Sequence, residues 1–151
     1  MVDAESGDLV SRAEEVFEQL DATAAAATAS PLDTDTSQQH RHRVHRELLL
    51  NTVELVSDVC ATTAEAMADL DDSMTRVRQV TDDLGIDLYS AGMHPFASWQ
   101  DQLVTDADRY ATLIDRTQWW GRQMMIYGVH VHVGLTDRDR VLPVLNSLLR
   151  Y

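Results

Sequence analysis

The stretch YGVHVHVGL, residues 127–135, alternates valine with histidine and carries glycine at 128 and 134. Successive side chains of a β-strand point to opposite faces. Read as a strand, Tyr127, Val129, Val131 and Val133 share one face, while Gly128, His130, His132 and Gly134 share the other. The valine face is expected to bury in a core. The opposite face sets two imidazoles beside open space, as a strand lining a site would. Histidines at i and i+2 on a strand can present metal ligands, but paired histidines also occur as hydrogen-bonded structure. The pattern needs partners elsewhere in the chain.

Before this strand, a helical region is expected over roughly 102–125, with Tyr110, Leu113, Ile114 and Trp120 among its apolar positions. Trp119 and Trp120 read as core or interface residues rather than as a nucleotide platform. After it, Thr136–Tyr151 reads as a final helix that Thr136 caps, with Asp137 and Asp139 suited to its first turn and Pro143 awkward inside it. Further upstream, a helix is expected over 9–27, with Ser11 as N-cap and Glu14 in capping-box position. A loop marked by Pro31 follows in ATASPLDTDTSQQH, residues 27–40. A strand is expected near 52–57, then a helix from about Asp58 to Asp83, closed by Gly85. Cys60, Met67 and Met74, with Thr63, Leu70, Val77 and Leu84, recur every seventh residue as one apolar stripe of that helix. IDLYSAGMHPF reads as a short strand entering a loop, since Pro95 disfavours helix at His94. Strands spaced by long helices without regular alternation indicate an α+β fold.

Composition narrows the function. The 151 residues suffice for one domain with a sizeable core, and the 44% apolar and 25% charged content is ordinary for a globular chain. A formal charge of −13 argues against nucleic acid or an anionic membrane as partner, since both need a basic face. All 12 basic residues are arginine, so no lysine nucleophile, Schiff base or Walker-type lysine is available. Cys60 is the only cysteine, which excludes a disulfide framework or a thiolate cluster within one chain and fits a reducing cytosol. The N-terminus lacks a signal-peptide pattern and no apolar run approaches a membrane span, so a cytoplasmic location is expected.

Glu47 and Glu54 in RELLLNTVEL are the best acidic partners for the histidines, each set among apolar residues where glutamate is rarely found unless paired or coordinating. Seven residues apart, they share a face on a helix but point to opposite faces of a regular strand. A shared site therefore demands a bulge or a helix-to-strand change between them. Oxygen ligands with few nitrogens and no thiolate favour Mg²⁺ or Mn²⁺ over structural zinc. The plain alternative is that Glu47 is solvated and Glu54 faces water from an edge strand.

The chain resembles the carboxylate–amine ligase family that includes type 2 glutamate–cysteine ligases, a branch of the glutamine-synthetase-like superfamily. Five motifs in order carry the resemblance: LVSRAEEV, HRELLLNTVEL with its VC turn, GMHPFASW, DADRY, and WWGRQMMIYGVHVHVGLTDRDRVLPVLNSLL. Met93 stands where many relatives carry threonine. The resemblance implies a partial glutamine-synthetase-like catalytic domain: an antiparallel sheet with long helices packed on one side.

It also implies a two-step reaction. ATP phosphorylates the γ-carboxylate of glutamate, and an amine, cysteine in the named activity, attacks the acyl phosphate. Divalent cations, Mg²⁺ or Mn²⁺, offset the negative charge that this chemistry crowds together. By position, the resemblance assigns Glu47, Glu54 and His130 to the metal, and His132 to the nucleotide phosphates or the glutamate. Arg109 becomes a substrate or phosphate contact, with a surface arginine as the alternative reading. His94 falls in a loop near the site, where binding the nucleotide and shaping the loop both stand open.

The resemblance further implies that residues 1–151 are a single incomplete ligase domain, its N-terminal part, lacking the first strand and the C-terminal half. Such a chain is expected to bind ATP and glutamate weakly without turnover. It would work with another ligase chain or a C-terminal part, or persist as a non-catalytic remnant that pairs with another chain. Which amine is accepted lies outside this segment.

Overall fold

The structure, a computed structural model, describes residues 1–28 and 43–150. The loop expected around Pro31 lies largely outside the described residues. The elements run β1 (Val2–Asp3), α1 (Ala13–Thr28), β2 (Val44–Arg46), β3 (Val53–Leu55), α2 (Thr63–Asp83), β4 (Ile86–Asp87), a 3₁₀ turn (Trp99–Asp101), α3 (Asp108–Thr117), α4 (Trp119–Arg122), a second 3₁₀ turn (Arg138–Arg140) and α5 (Val141–Leu148). The described strands form two separate antiparallel pairs, β1 with β4 and β2 with β3. Mixed helix and small antiparallel sheets give the expected α+β class, without a single broad sheet among the described residues.

The long helix is written most clearly in the sequence. Thr62 is its N-cap and Glu65 reaches back to the cap backbone, a reciprocal capping box. Gly85 closes it at φ +67°, a conformation that glycine adopts without Cβ strain. Its buried positions are Ser73, Val77, Val80 and Thr81, facing α1, while Met67 is exposed and Cys60 precedes the helix. The seven-residue stripe thus holds only in the C-terminal half. A 3.6-residue helix drifts about 20° per heptad from a strict seven-residue repeat, and the 16 residues of α1 do not follow the whole 21-residue length of α2.

α1 begins at Ala13, two residues beyond the expected cap Ser11. Glu14 serves a tertiary contact: both its oxygens accept from Arg46 at 2.8–3.0 Å, and the Arg46 guanidinium lies 4.2 Å from the centre of the Phe17 ring. α1 is thereby fastened to β2. Arg43, just before β2, is buried and pairs with Asp58 and with Asp69 at 3.2 Å, tying the same strand to α2.

Two apolar clusters result. The first gathers Met1, Ala13, Val16, Phe17, Val77, Val80 and Ile86, with Val16 and Val77 at 0% exposure. The second gathers Leu48, Leu49, Tyr110 and Met125, flanked by Val104, Leu113, Ile114 and Tyr127. Leu50 packs on the first cluster while Leu48 and Leu49 belong to the second. The turn between β2 and β3 therefore sits at the seam between the two cores.

The C-terminal third departs from expectation. The helical region is broken: α3 spans Asp108–Thr117 and α4 resumes at Trp119, because Gln118 adopts φ 51° and ψ −126°. Trp119 and Trp120 are exposed rather than core, stacked edge-on with each other at 4.8 Å, and Trp119 meets Trp99 at 6.3 Å. Residues 127–135 form no ladder, and Val129, Val131 and Val133 are 86%, 82% and 76% exposed, so no core covers the valine face among the described residues. A strand needs a neighbouring backbone, and among the described residues none pairs with this segment. Thr136 caps no helix: Asp137 caps the second 3₁₀ turn, accepting from the Asp139 N–H at 3.0 Å, and α5 continues from that turn at Val141. Pro143 falls in the first turn of α5, where a missing N–H costs nothing.

Candidate functional site

Glu47 and Glu54 meet across a hairpin. β2 and β3 pair His45 with Glu54, and Glu47 stands one residue past the end of β2, where its carboxyl meets that of Glu54. The chain reverses between the two glutamates, which resolves the spacing problem by a tight turn rather than by a bulge in one strand. Thr52 N–H donates to the Leu49 carbonyl at 3.0 Å to close that turn. Residues 103–105 hold it from the other side: Leu50 N–H donates to the Leu103 carbonyl, and Thr105 N–H to that of Leu48, both at 2.9 Å. The Thr105 hydroxyl donates to the backbone oxygen of Glu47 at 2.6 Å.

The electrostatics of the pair are those of two carboxylates sharing one place. Burial raises the Glu54 pKa above the ordinary carboxylate value, and the neighbouring Glu47 carboxyl raises it further. His45 and then His130 act in the opposite direction, so both imidazoles lie within electrostatic reach of Glu54. Burial also raises the Tyr110 phenol, helped by the negative charge of Glu47. Tyr110 thereby forms the floor beside the glutamates, its hydroxyl donating to the Arg46 carbonyl at 2.8 Å.

Glu47 and Glu54 lie together, and the exposed His130 is within electrostatic reach of Glu54. His132 is exposed two residues on, its ring centre 6.3 Å from that of His130. Arg109 donates through Nη2 to the Arg46 carbonyl at 2.7 Å and to the Tyr110 hydroxyl, its guanidinium 4.3 Å from that ring's centre. It therefore stands at the edge of the same floor. His94 stands apart. Its ring is buried, Nε2 contacts the Gly7 carbonyl at 3.0 Å and Nδ1 accepts from the Ala97 N–H at 3.2 Å. With both nitrogens engaged and Tyr89 and Phe96 edge-on to the ring, His94 braces its loop against the N-terminal turn.

His45, which the sequence analysis does not single out, stands directly opposite Glu54 in the β2–β3 ladder. A hard divalent cation suits this donor set, because two carboxylates that repel each other gain from a shared positive charge. Among the described residues, however, no group of three or more His, Cys, Asp or Glu side chains is gathered to hold an ion. The residues fit part of a coordination shell rather than a closed one.

The sequence model described as Glutamate-cysteine ligase family 2 matches residues 2–151, and the chain belongs to that family. "Putative glutamate--cysteine ligase 2-1" of Arthrobacter sp. (strain FB24) is 52% identical over 151 residues, which is 100% of this chain and 37% of that protein. "Putative glutamate--cysteine ligase 2" of Mycobacterium tuberculosis (strain ATCC 25618 / H37Rv) is 60% identical over 109 residues, 72% of this chain and 29% of that protein. The chain spans about a third of the length of these relatives. No solved structure matches it. Among the described residues no helix is long and apolar enough to cross a membrane.

Proposed function

We propose that this chain supplies one wall of the active site of an ATP-dependent carboxylate–amine ligase that joins the γ-carboxylate of glutamate to an amine, cysteine by the family's name. The observation that carries this reading is the meeting of the Glu47 and Glu54 carboxyls at the β2–β3 hairpin of a family member, with His130 within electrostatic reach of Glu54. In the first step a γ-carboxylate oxygen attacks the terminal phosphorus of ATP and ADP leaves. In the second the amine nitrogen attacks the acyl carbon, phosphate departs and the nitrogen loses a proton.

Mg²⁺ or Mn²⁺, when bound, offsets the charge of the phosphates and polarises the phosphoryl oxygens. Glu47 and Glu54 would hold that cation, with His130 as the imidazole donor. The seam between two cores fixes the glutamates, so little reorganisation is needed on binding. His132 would lie along the phosphates, and Arg109 suits a carboxylate or phosphoryl oxygen through its planar fork. In this reading His94 shapes the loop that closes the site, rather than touching nucleotide. The domain is of the glutamine-synthetase-like kind, residues 1–151 are an incomplete part of it, and the protein works in the cytoplasm.

A second reading is a non-catalytic subunit that acts by pairing with another chain. The exposed Val129, Val131 and Val133, followed by exposed Leu142, Leu145 and Leu148, favour it. Complementation separates the two. The purified chain is mixed with a polypeptide covering the remaining length of a relative, and ADP release dependent on glutamate and cysteine is followed. The ligase reading expects no turnover from the chain alone, turnover from the mixture, and its loss with Glu47→Gln. Turnover by the chain alone would overturn its incompleteness. A stable but inert mixture would favour the non-catalytic reading.

A further inference from the structure

Residues 128–143 are exposed without a break. They leave the body of the fold at Tyr127, whose N–H donates to the Gly92 carbonyl at 3.1 Å and whose hydroxyl donates to Asn51 Oδ1 at 3.4 Å. The Tyr127 ring packs half-buried against the second core. Beyond this anchor the chain is extended. None of residues 128–135 has a positive φ, and the His130 and His132 ring centres stand 6.3 Å apart, close to the ~6.6 Å between residues i and i+2 of a strand. His130 Nε2 would stand 3.7 Å from a Cβ on Gly128. Gly128, His130 and His132 therefore share one face, and the exposed valines take the other.

Exposed strands are ordinarily guarded by lysine, proline, a bulge or an inward-pointing charge. From Gln123 to Thr136 the chain carries no Asp, Glu, Lys, Arg or Pro. The segment is unguarded, and its sequence specifies a partner. GVHVHVG, residues 128–134, reads the same in both directions about Val131. Opposed residues of antiparallel strands share a face. A second copy related by a two-fold axis through Val131 therefore sets Val131 against Val131, His130 against His132, Val129 against Val133 and Gly128 against Gly134. Each residue meets its own kind, as a self-complementary two-fold interface requires. The copies repel overall, each at −13, yet within the paired segment no carboxylate or guanidinium opposes its like.

We propose that residues 128–134 are a homodimer interface, in which two copies of this chain pair as antiparallel strands about a two-fold axis at Val131. The inference stands apart from the cation-site reading, since it needs neither metal nor nucleotide. Two strands alone make a marginal ribbon, and a standard interface buries about 800 Å² per partner. The same axis brings the body of each copy beside residues 136–150 of the other, so the exposed Leu142, Leu145 and Leu148 of α5 add to the covered area.

The test combines sedimentation of the 151-residue chain with single cysteines placed in a Cys60→Ser background. The chain should dimerise as concentration rises. Val131→Asp, which sets two carboxylates against each other on the axis, should weaken the dimer about ten-fold or more. Val131→Cys should form a disulfide with its own counterpart, because opposed Cα atoms stand about 4.5–5.5 Å apart, within disulfide reach. Val129→Cys alone should not, since its counterpart lies four residues along, roughly 13 Å away. Mixed with Val133→Cys, it should link. All these positions are exposed, so the variants leave the cores untouched. A chain that stays monomeric at every concentration, open-ended assembly in place of a dimer, or Val129→Cys linking to itself as fast as Val131→Cys would overturn the proposal. So would a monomer that binds a polypeptide covering the remaining length of a relative and loses it with Val131→Asp, for the surface would then belong to that partner.

Discussion

The ammonium of Met1 should make the fold's stability depend on pH in a calculable way. Met1 is buried in the first core, and its ammonium donates to the Asn51 carbonyl. Burial lowers its pKa from 8.0 to about 6. A lowered pKa in the fold means that the unfolded chain binds more protons between these values, so unfolding becomes harder as pH rises. The stability from this group is fully present above pH 8.0 and is lost as pH falls to about 6. At about 1.4 kcal/mol per pH unit the whole difference is about 2.7 kcal/mol, a large part of a typical stability of about 5–15 kcal/mol. Other groups titrate in the same window, so the measurement compares the chain with its Nα-acetylated form, both verified by mass to retain Met1. Acetylation removes the charge, and any offset from its bulk is independent of pH. Urea unfolding at intervals from pH 5 to 9 should show the free-amine chain losing about 2.7 kcal/mol relative to the acetylated one as pH falls. Parallel curves would refute the reasoning and would place the amine in water.

Three further outcomes follow from the site and its supports. Glu47→Gln should bring the Glu54 carboxyl back toward the ordinary carboxylate value, read by carbon-detected NMR titration, because one of its two main causes is removed. Glu54 is raised, so its contribution favours the fold at low pH and is lost as pH rises through its folded value; Glu47→Gln should shrink that loss. Gly121→Ala should destabilise by about 1–3 kcal/mol, because a Cβ there would stand 2.0 Å from Thr117 Oγ1 and 3.1 Å from Ile114 Cδ1. Adding Thr117→Ala should recover part of the loss, as urea unfolding would show. His94→Ala should cost about 1–3 kcal/mol of stability by stranding the Gly7 carbonyl and the Ala97 N–H. Unchanged stability with lost nucleotide affinity would instead make His94 a nucleotide contact.

Legibility in the sequence followed the range of the interactions. Capping at Thr62 and Glu65 and the exit at Gly85 are local; that helix ends at the expected Asp83 but begins at Thr63, five residues after the expected start. The pairing of Glu47 with Glu54 was visible only as a contradiction in spacing. Three leucines in a row fit helix, strand or turn alike, and their division between two cores is a tertiary fact. Nothing in the sequence marks Gln118 for a positive φ, since glycine is the usual signal and stands three residues later. The segment 127–135 has the alternation of a strand, yet alternation states a preference for faces and cannot supply the neighbouring backbone that makes a ladder.

That contrast bears on how the site would assemble. Both glutamates come from one hairpin whose turn is bonded on one side to 103–105 and packed into both cores, so folding of this chain alone sets their separation. The imidazoles sit beyond a single anchor, with 76–86% of each neighbouring valine open to water. Covering those valines would contribute apolar burial of roughly 1.5–3 kcal/mol per fully buried side chain. The carboxylate wall is therefore fixed before any partner arrives, and the histidine wall is the part whose geometry a partner can still improve. Cation affinity should accordingly divide into a component set by Glu47 and Glu54 that this chain shows alone, and a component from His130 that grows when the valine face is covered.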